Sequence, residues 1–389
     1  MSKNIFIFSL ILVFFFNISY FELELGPTYI GWIENATYLI ALPVLLLSTY
    51  NKRNNVEQLY IMIMLLGLFF HVFLPEKGKF PISDAIQWIF LIVIIIASRK
   101  YKTPRLIFYL FVIFFIIHCT LAIIEYKLQT NLFDYSFVKD FSNFSETKEF
   151  RAFGLMKQPL QSSNITLIIM SFIMVSKDIN WNLKLALLTL GTLAMFCFNS
   201  RIGIIILGCL LVYRYLFYNL KPIFIITICS LIYIFFINDF ISFVVQNSQI
   251  FGRLAEKDNL TDDSSLARIL SYVYFWNARW NLQDIMLGGR EIHLQGSELT
   301  LENGILLTIS WWGWVVGIAK VILELVISYI FINKYNIKDK VILLIACWGT
   351  AFANNNSFYT FVFVFFIISF LSISSIENRK DNNKFKDIK

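Results

Sequence analysis

The chain has 389 residues, of which 58% are hydrophobic and only 15% charged, and its mean hydropathy is +0.67. That balance far exceeds what a water-soluble chain needs for its core, so a soluble globular class is excluded and lipid is the main solvent. The formal charge of +7 lies mostly in short connections and the C-terminal tail; no basic stripe with interleaved aromatics sits on a soluble module, which argues against nucleic acid as a partner.

A hydrocarbon layer about 30 Å thick is crossed by about 20 apolar residues in a helix, because lipid leaves every backbone amide to be satisfied within its own segment. Read with that window, the sequence predicts an all-α polytopic membrane protein of about 12 transmembrane helices. The first, 4–21, follows Lys3 and resembles a signal peptide. Asn17-Ile18-Ser19-Tyr20-Phe21 offers no clear small-x-small cleavage site, so the segment is expected to be retained. Spans follow at 29–49, 58–74, 82–98, 105–124, 160–176, 182–199, 202–219 and 222–244. After a polar stretch come 303–333, long enough to tilt or to extend past the hydrocarbon, then the short 341–353, and 358–376. Residues 1–376 form one expected membrane domain, and the hydrophilic tail 377–389 is expected to be disordered and cytoplasmic.

All five cysteines, Cys119, Cys197, Cys209, Cys229 and Cys347, fall inside apolar runs with no CxxC pair. They read as small buried hydrophobes, implying neither disulfides nor a metal site. Orientation follows from the short loops, since the cytoplasmic side retains Lys and Arg. An inside N-terminus places Lys52, Arg53, Arg99, Lys100, Lys102 and Arg105 in the cytoplasm. Lys177, Lys184, Arg214, Lys221, Lys334, Lys338, Lys340 and the basic tail join them there, against only Lys77, Lys79 and Arg201 in the short outer loops. Both termini are therefore expected inside, with two longer outer loops at 125–159 and 245–302. In the larger loop, 265–287 is apolar enough at helical spacing for short interfacial helices.

Arg151-Ala152-Phe153-Gly154, ahead of Pro159, sets a guanidinium at the outer boundary in a shaped turn. A bidentate cation there suits a phosphate or pyrophosphate, and it equally suits an anchor on lipid headgroups. Asn199-Ser200-Arg201-Ile202-Gly203 interrupts two apolar runs so briefly that Arg201 must sit near the ends of two packed helices. An intramembrane charge is a functional hypothesis by default, with a structural salt bridge as its alternative. The large loop supplies Arg253, Arg268, Arg279 and Arg290, with Gly288-Gly289, His293, Glu298 and Glu302-Asn303-Gly304. Glu302, a carboxylate near arginines at the membrane surface, can accept a proton from a sugar hydroxyl, or can simply favour a helix N-terminus. His293 is a second candidate base or a solvated loop side chain, while His71 and His118 lie within apolar spans and read as structural. Lys320 and Glu324, four residues apart, share a helical face and neutralise each other, unless they form a coupling-ion site. Trp276, Trp280, Trp311, Trp312 and Trp314 read as interfacial anchors.

Together these pieces resemble the O-antigen polymerase and O-antigen ligase superfamily of bacterial envelope glycosyltransferases. The resemblance rests on the helix count and on one large outer loop before the last three spans. It also rests on Arg151 with Gly154, on Ser200-Arg201 with Gly203, and on Arg268 upstream of Gly288-Gly289. Ligases of that family often carry a His-Asn pair where this chain has Glu302-Asn303, which favours a polymerase.

The resemblance implies a bacterial inner-membrane enzyme that needs no cofactor or metal. Its substrate would be an undecaprenyl pyrophosphate-linked oligosaccharide, its setting membrane lipid, and a chain-length regulator its partner. Arg151, Arg201 and Arg268, with Arg290 in reserve, would hold the leaving pyrophosphate, Glu302 would activate the acceptor hydroxyl, and the loop, with His293, would bind sugar. A ligase of the same superfamily and a lipid-linked oligosaccharide flippase or transporter are the rival readings.

Overall fold

A computed structural model describes residues 2–18, 27–49, 52–73, 82–132, 150–156, 158–216, 271–288, 301, 303–352 and 360–384. The regular structure of the described residues is all helical, without strands. In chain order the helices are α1 (Ser2–Phe16), α2 (Pro27–Ser48), α3 (Asn55–Phe73), α4 (Ile82–Ser98), α5 (Arg105–Leu128), α6 (Pro159–Val175), α7 (Trp181–Phe198) and α8 (Arg201–Tyr215). A short helix over 271–277 precedes α9 (Leu282–Leu287), α10 (Gly304–Trp312), α11 (Trp314–Phe331), α12 (Ile337–Trp348), a 3-10 turn at Gly349–Phe352, and α13 (Thr360–Lys384).

Three helices, α5, α7 and α11, are long and apolar enough to cross a membrane, and shorter apolar helices accompany them. Their surfaces agree with that solvent. The outer face of α5 exposes Leu106, Ile113 and Leu128, and that of α11 exposes Val315 and Ile322, each about half accessible or more. Water tolerates few such contiguous apolar faces, whereas lipid tails match them.

α6 is buried over nearly its whole length, including Ser162, Ser163, Asn164, Thr166 and Ser171. It packs against α7, α8, α12 and α13, while α5 lies on α7 and α13, and α3 on α4 and α11. An apolar helix buried on every side marks the centre of a bundle. Pro159 occupies the first turn of α6, where its missing N–H costs no hydrogen bond and its fixed φ suits the helix.

The stretch 303–333, expected as one span, is two helices. The chain breaks at Gly313, whose φ of 81° and ψ of 163° leave the helical region. A Cβ at Gly313 would lie 2.8 Å from the Gly288 nitrogen and 2.9 Å from the Ile285 carbonyl oxygen. The segment around α9 therefore docks into the break, and only glycine fits between the two backbones. α13 continues to Lys384, past the expected end of the last span at 376. The expected span 222–244 lies outside the described residues.

The two charges on α11 are paired with each other. Lys320 Nζ lies 2.6 Å from Glu324 Oε1 on α11, with both side chains essentially inaccessible, as their spacing predicts. Tyr60 of α3 donates to the same oxygen at 2.8 Å, and the ammonium sits 4.1 Å from the centre of the Trp88 ring of α4. Desolvating two ions is costly, and mutual attraction plus the Tyr60 and Trp88 contacts offset that cost. Removing one ion leaves the other uncompensated. Lys320→Met should therefore lower stability by about 3–5 kcal/mol, and Lys320→Met with Glu324→Gln should recover most of it, as read by thermal unfolding in detergent. An undiminished melting temperature in the single variant would contradict the pairing.

Candidate functional site

The residues Arg151-Ala152-Phe153-Gly154 are fixed by contacts from three helices. Glu125, near the C-terminal end of α5 and 0% exposed, accepts the amides of Phe153 at 2.7 Å and Gly154 at 2.9 Å on one oxygen. Its other oxygen accepts the Leu132 amide at 3.2 Å. Two turns earlier on α5, His118 Nδ1 accepts the Leu155 amide at 3.1 Å. The Ser162 hydroxyl of α6 donates to the Phe153 carbonyl at 2.5 Å. The Ala152 amide, in turn, donates to the Cys197 carbonyl of α7 at 3.0 Å.

Each contact answers a need of buried backbone, whose amides and carbonyls cannot be left unmatched in a dry interior. Gly154 has φ of 59°, and a Cβ there would stand 2.8 Å from both His118 Nδ1 and the His118 carbonyl. The glycine of the motif is thus required by a left-handed turn pressed against α5. His118 itself is buried between the rings of Phe114 and Phe198, at 5.6 and 5.3 Å. With Nδ1 an acceptor, the neutral ring carries its proton on Nε2. This is the structural role expected of it.

The second motif lies beside the first. Asn199 closes α7 in the left-handed conformation at φ 50°, and Ser200 caps α8 by accepting the Gly203 amide at 3.4 Å. Arg201 is the first residue of α8. It follows Cys197 so closely that even a fully extended chain would hold it within roughly 14 Å of the carbonyl that binds Ala152. The fold therefore brings the backbone positions of Arg151 and Arg201 to one end of the α5–α6–α7–α8 group. The Arg151 side chain is half-buried there. The side chain of Arg201 lies outside the described residues, as do Arg268, Arg290, His293 and Glu302.

Asn303 marks the entry to α10. Its side-chain oxygen accepts the amides of Ile305 and Leu306, capping the helix, and its amide nitrogen donates to the Tyr272 hydroxyl at 2.7 Å. Phe275, Trp276, Trp280 and Trp314 pack ring on ring with centroids 5.0–5.7 Å apart. Trp276 stays 65% exposed on that platform. Residues from the large loop and the start of α11 thus form one aromatic cluster, more closely knit than separate interfacial anchors.

Glu125 and Ser162 escape a reading by sequence alone, because an acid at the end of an apolar run and a serine in the next one look like ordinary boundary residues. The one available signal is the pairing of that acid with a glycine turn shortly before the next span. Among the described cysteines, Cys119, Cys197 and Cys347 are buried free thiols, and Cys209 is exposed on α8. No group of three or more His, Cys, Asp or Glu side chains able to hold a metal ion occurs among the described residues. No protein-family model and no curated protein matches this chain.

The turn depends on Glu125 being an acceptor at both oxygens. Glu125→Gln turns one of them into a donor facing backbone N–H groups and should cost about 1–3 kcal/mol, read as a lower melting temperature of the detergent-solubilised protein. A melting temperature equal to that of the parent protein would show that the clamp contributes nothing.

Proposed function

We propose that the chain is an envelope glycosyltransferase of the polymerase kind, transferring a glycan from undecaprenyl pyrophosphate to another lipid-linked repeat unit on the outer face of a bacterial inner membrane. The observation that carries this reading is the hydrogen bond from Ala152 to Cys197, which sets the turn of Arg151 against the junction that begins α8 with Arg201. Two guanidinium-bearing positions on backbone fixed in this way suit a polyanion at a membrane boundary.

In the reaction, the acceptor hydroxyl oxygen forms a bond to the anomeric carbon as the bond from that carbon to the pyrophosphate oxygen breaks. The electron pair leaves with the lipid pyrophosphate, and the hydroxyl proton passes to Glu302. Arg151, Arg201 and Arg268, with Arg290 in reserve, are assigned to neutralise charge on the leaving group, which lowers the barrier to its departure. His293 and the aromatic platform at Trp276 are assigned to bind the sugars. A preorganised cation needs no rearrangement when that charge appears, and this is the advantage of seating Arg151 on a turn held by α5, α6 and α7.

The test is made in the source bacterium, with Arg201→Ala and Glu302→Ala variants and the surface polysaccharide displayed on a gel. A polymerase gives lipid A-core bearing a single repeat unit. Core with none would indicate a ligase, and blocked display with repeat units retained on the inner face would indicate a flippase or transporter. A normal ladder from both variants would overturn the catalytic assignment.

A further inference from the structure

A second polar site lies at the other end of the helices. α5 rises about 36 Å over its 24 residues, so its first turn is far from Glu125. Beside that first turn is a cavity of about 540 Å³, a volume within the range of small-molecule sites. It is bounded by the end of α4, the 99–103 connection, Asn54 ahead of α3, the end of α11 with its following turn, and α13.

Four cations line it, Arg99, Lys100, Lys102 and Lys334, and no carboxylate is among the described residues of its walls. Arg99 is spoken for. It makes a two-pronged pair with the buried Glu57 of α3, which cancels its charge and fixes the wall. Lys100 is held by a neutral oxygen, its Nζ donating to the Ser48 carbonyl at 2.5 Å. An ammonium has three protons, so such a partner leaves charge and donors for a ligand. Lys102 is exposed, as are Lys100 and Lys334. Lys334 completes the ring of cations, with its Nζ 2.6 Å from the Ser374 hydroxyl to which it donates.

Part of the wall is apolar. Phe331 of α11 and Phe370 of α13 stand with ring centres 4.2 Å apart, and Lys334 Nζ lies 4.6 Å from the Phe370 ring. The cavity thus offers positive charge and hydrogen-bond donors together with aromatic rings. A purely topological excess of lysine at a membrane face would not need a walled cavity or an apolar lining. Basic pockets between helices near a membrane surface suit phosphate-bearing headgroups.

We infer that this cavity binds a phosphate-bearing anion, taken either from an anionic phospholipid headgroup or from a soluble phosphate compound, with Lys100, Lys102 and Lys334 as its cations. The bound phosphate links α4, α11 and α13, so it stabilises the folded bundle in proportion to its occupancy. This site is independent of glycosyl transfer at the Arg151 turn.

The test uses the full-length protein in nanodiscs of phosphatidylcholine, with phosphatidylglycerol added in one arm and inorganic phosphate in the other, and reads the melting temperature. The phosphatidylglycerol arm raises it if the source is lipid, and the phosphate arm raises it if the source is soluble. In either case Lys100→Gln with Lys102→Gln and Lys334→Gln should weaken binding by roughly a hundredfold and abolish the shift. Lys177→Gln, at an exposed lysine after α6, should leave the shift intact. Should the triple variant melt early without ligand, Lys102→Gln alone, at an exposed lysine, must still reduce the shift. No shift in either arm, or an equal shift in the parent and the Lys102→Gln protein, would overturn the site.

Discussion

One buried carboxylate organises the candidate site. Glu125 closes α5 facing inward, where a bare anion is costly, and its two oxygens are matched by three backbone amides from the segment that follows. The acid and the turn need each other. Without Glu125 the Phe153 and Gly154 amides would be buried donors with no acceptor, and without the turn Glu125 would be a buried acceptor deprived of two of its donors. The mutual requirement converts part of a long connection into a fixed ledge across α5, α6 and α7, and on that ledge Arg151 stands next to the start of α8.

Elsewhere the bundle meets the same cost differently. In the apolar interior, Lys320 and Glu324 neutralise each other and draw Tyr60 and Trp88 onto α11. At the basic-rich ends of the helices, Arg99 with Glu57 and Arg214 with Asp339, the latter at 2.7 Å, tie neighbouring helices together. Ion pairs thus offset the cost in those regions, whereas the Arg151 turn is held by a carboxylate that receives backbone amides. Its geometry is set by main-chain donors.

Much of the helical framework is legible in the sequence because hydropathy reports solvent directly. The predicted 82–98 matches α4, and 160–176 and 182–199 fall within a residue of α6 and α7. The two arginine motifs are also visible, since a charge inside an apolar run is costly and so draws attention to itself. The break at Gly313 is not, because Trp311, Trp312 and Trp314 keep the run apolar across it, and hydropathy says nothing of backbone direction. Glu125 stays hidden for a related reason. Its partners are amides from residues 132, 153 and 154, and a backbone donor has no letter in the sequence.

With its amides clamped in this way, the segment after Arg151 should be held as firmly as the helices around it. Amide hydrogen exchange followed by mass spectrometry tests this directly on peptides covering 150–156, since amides bonded in a dry interior exchange only through local opening. Slow exchange is expected at Phe153 and Gly154, comparable to the middle of α6, and rapid exchange at both in Glu125→Ala, which removes the oxygen that accepts the two amides. Complete exchange of the parent peptide at the rate of an open loop would contradict the clamp.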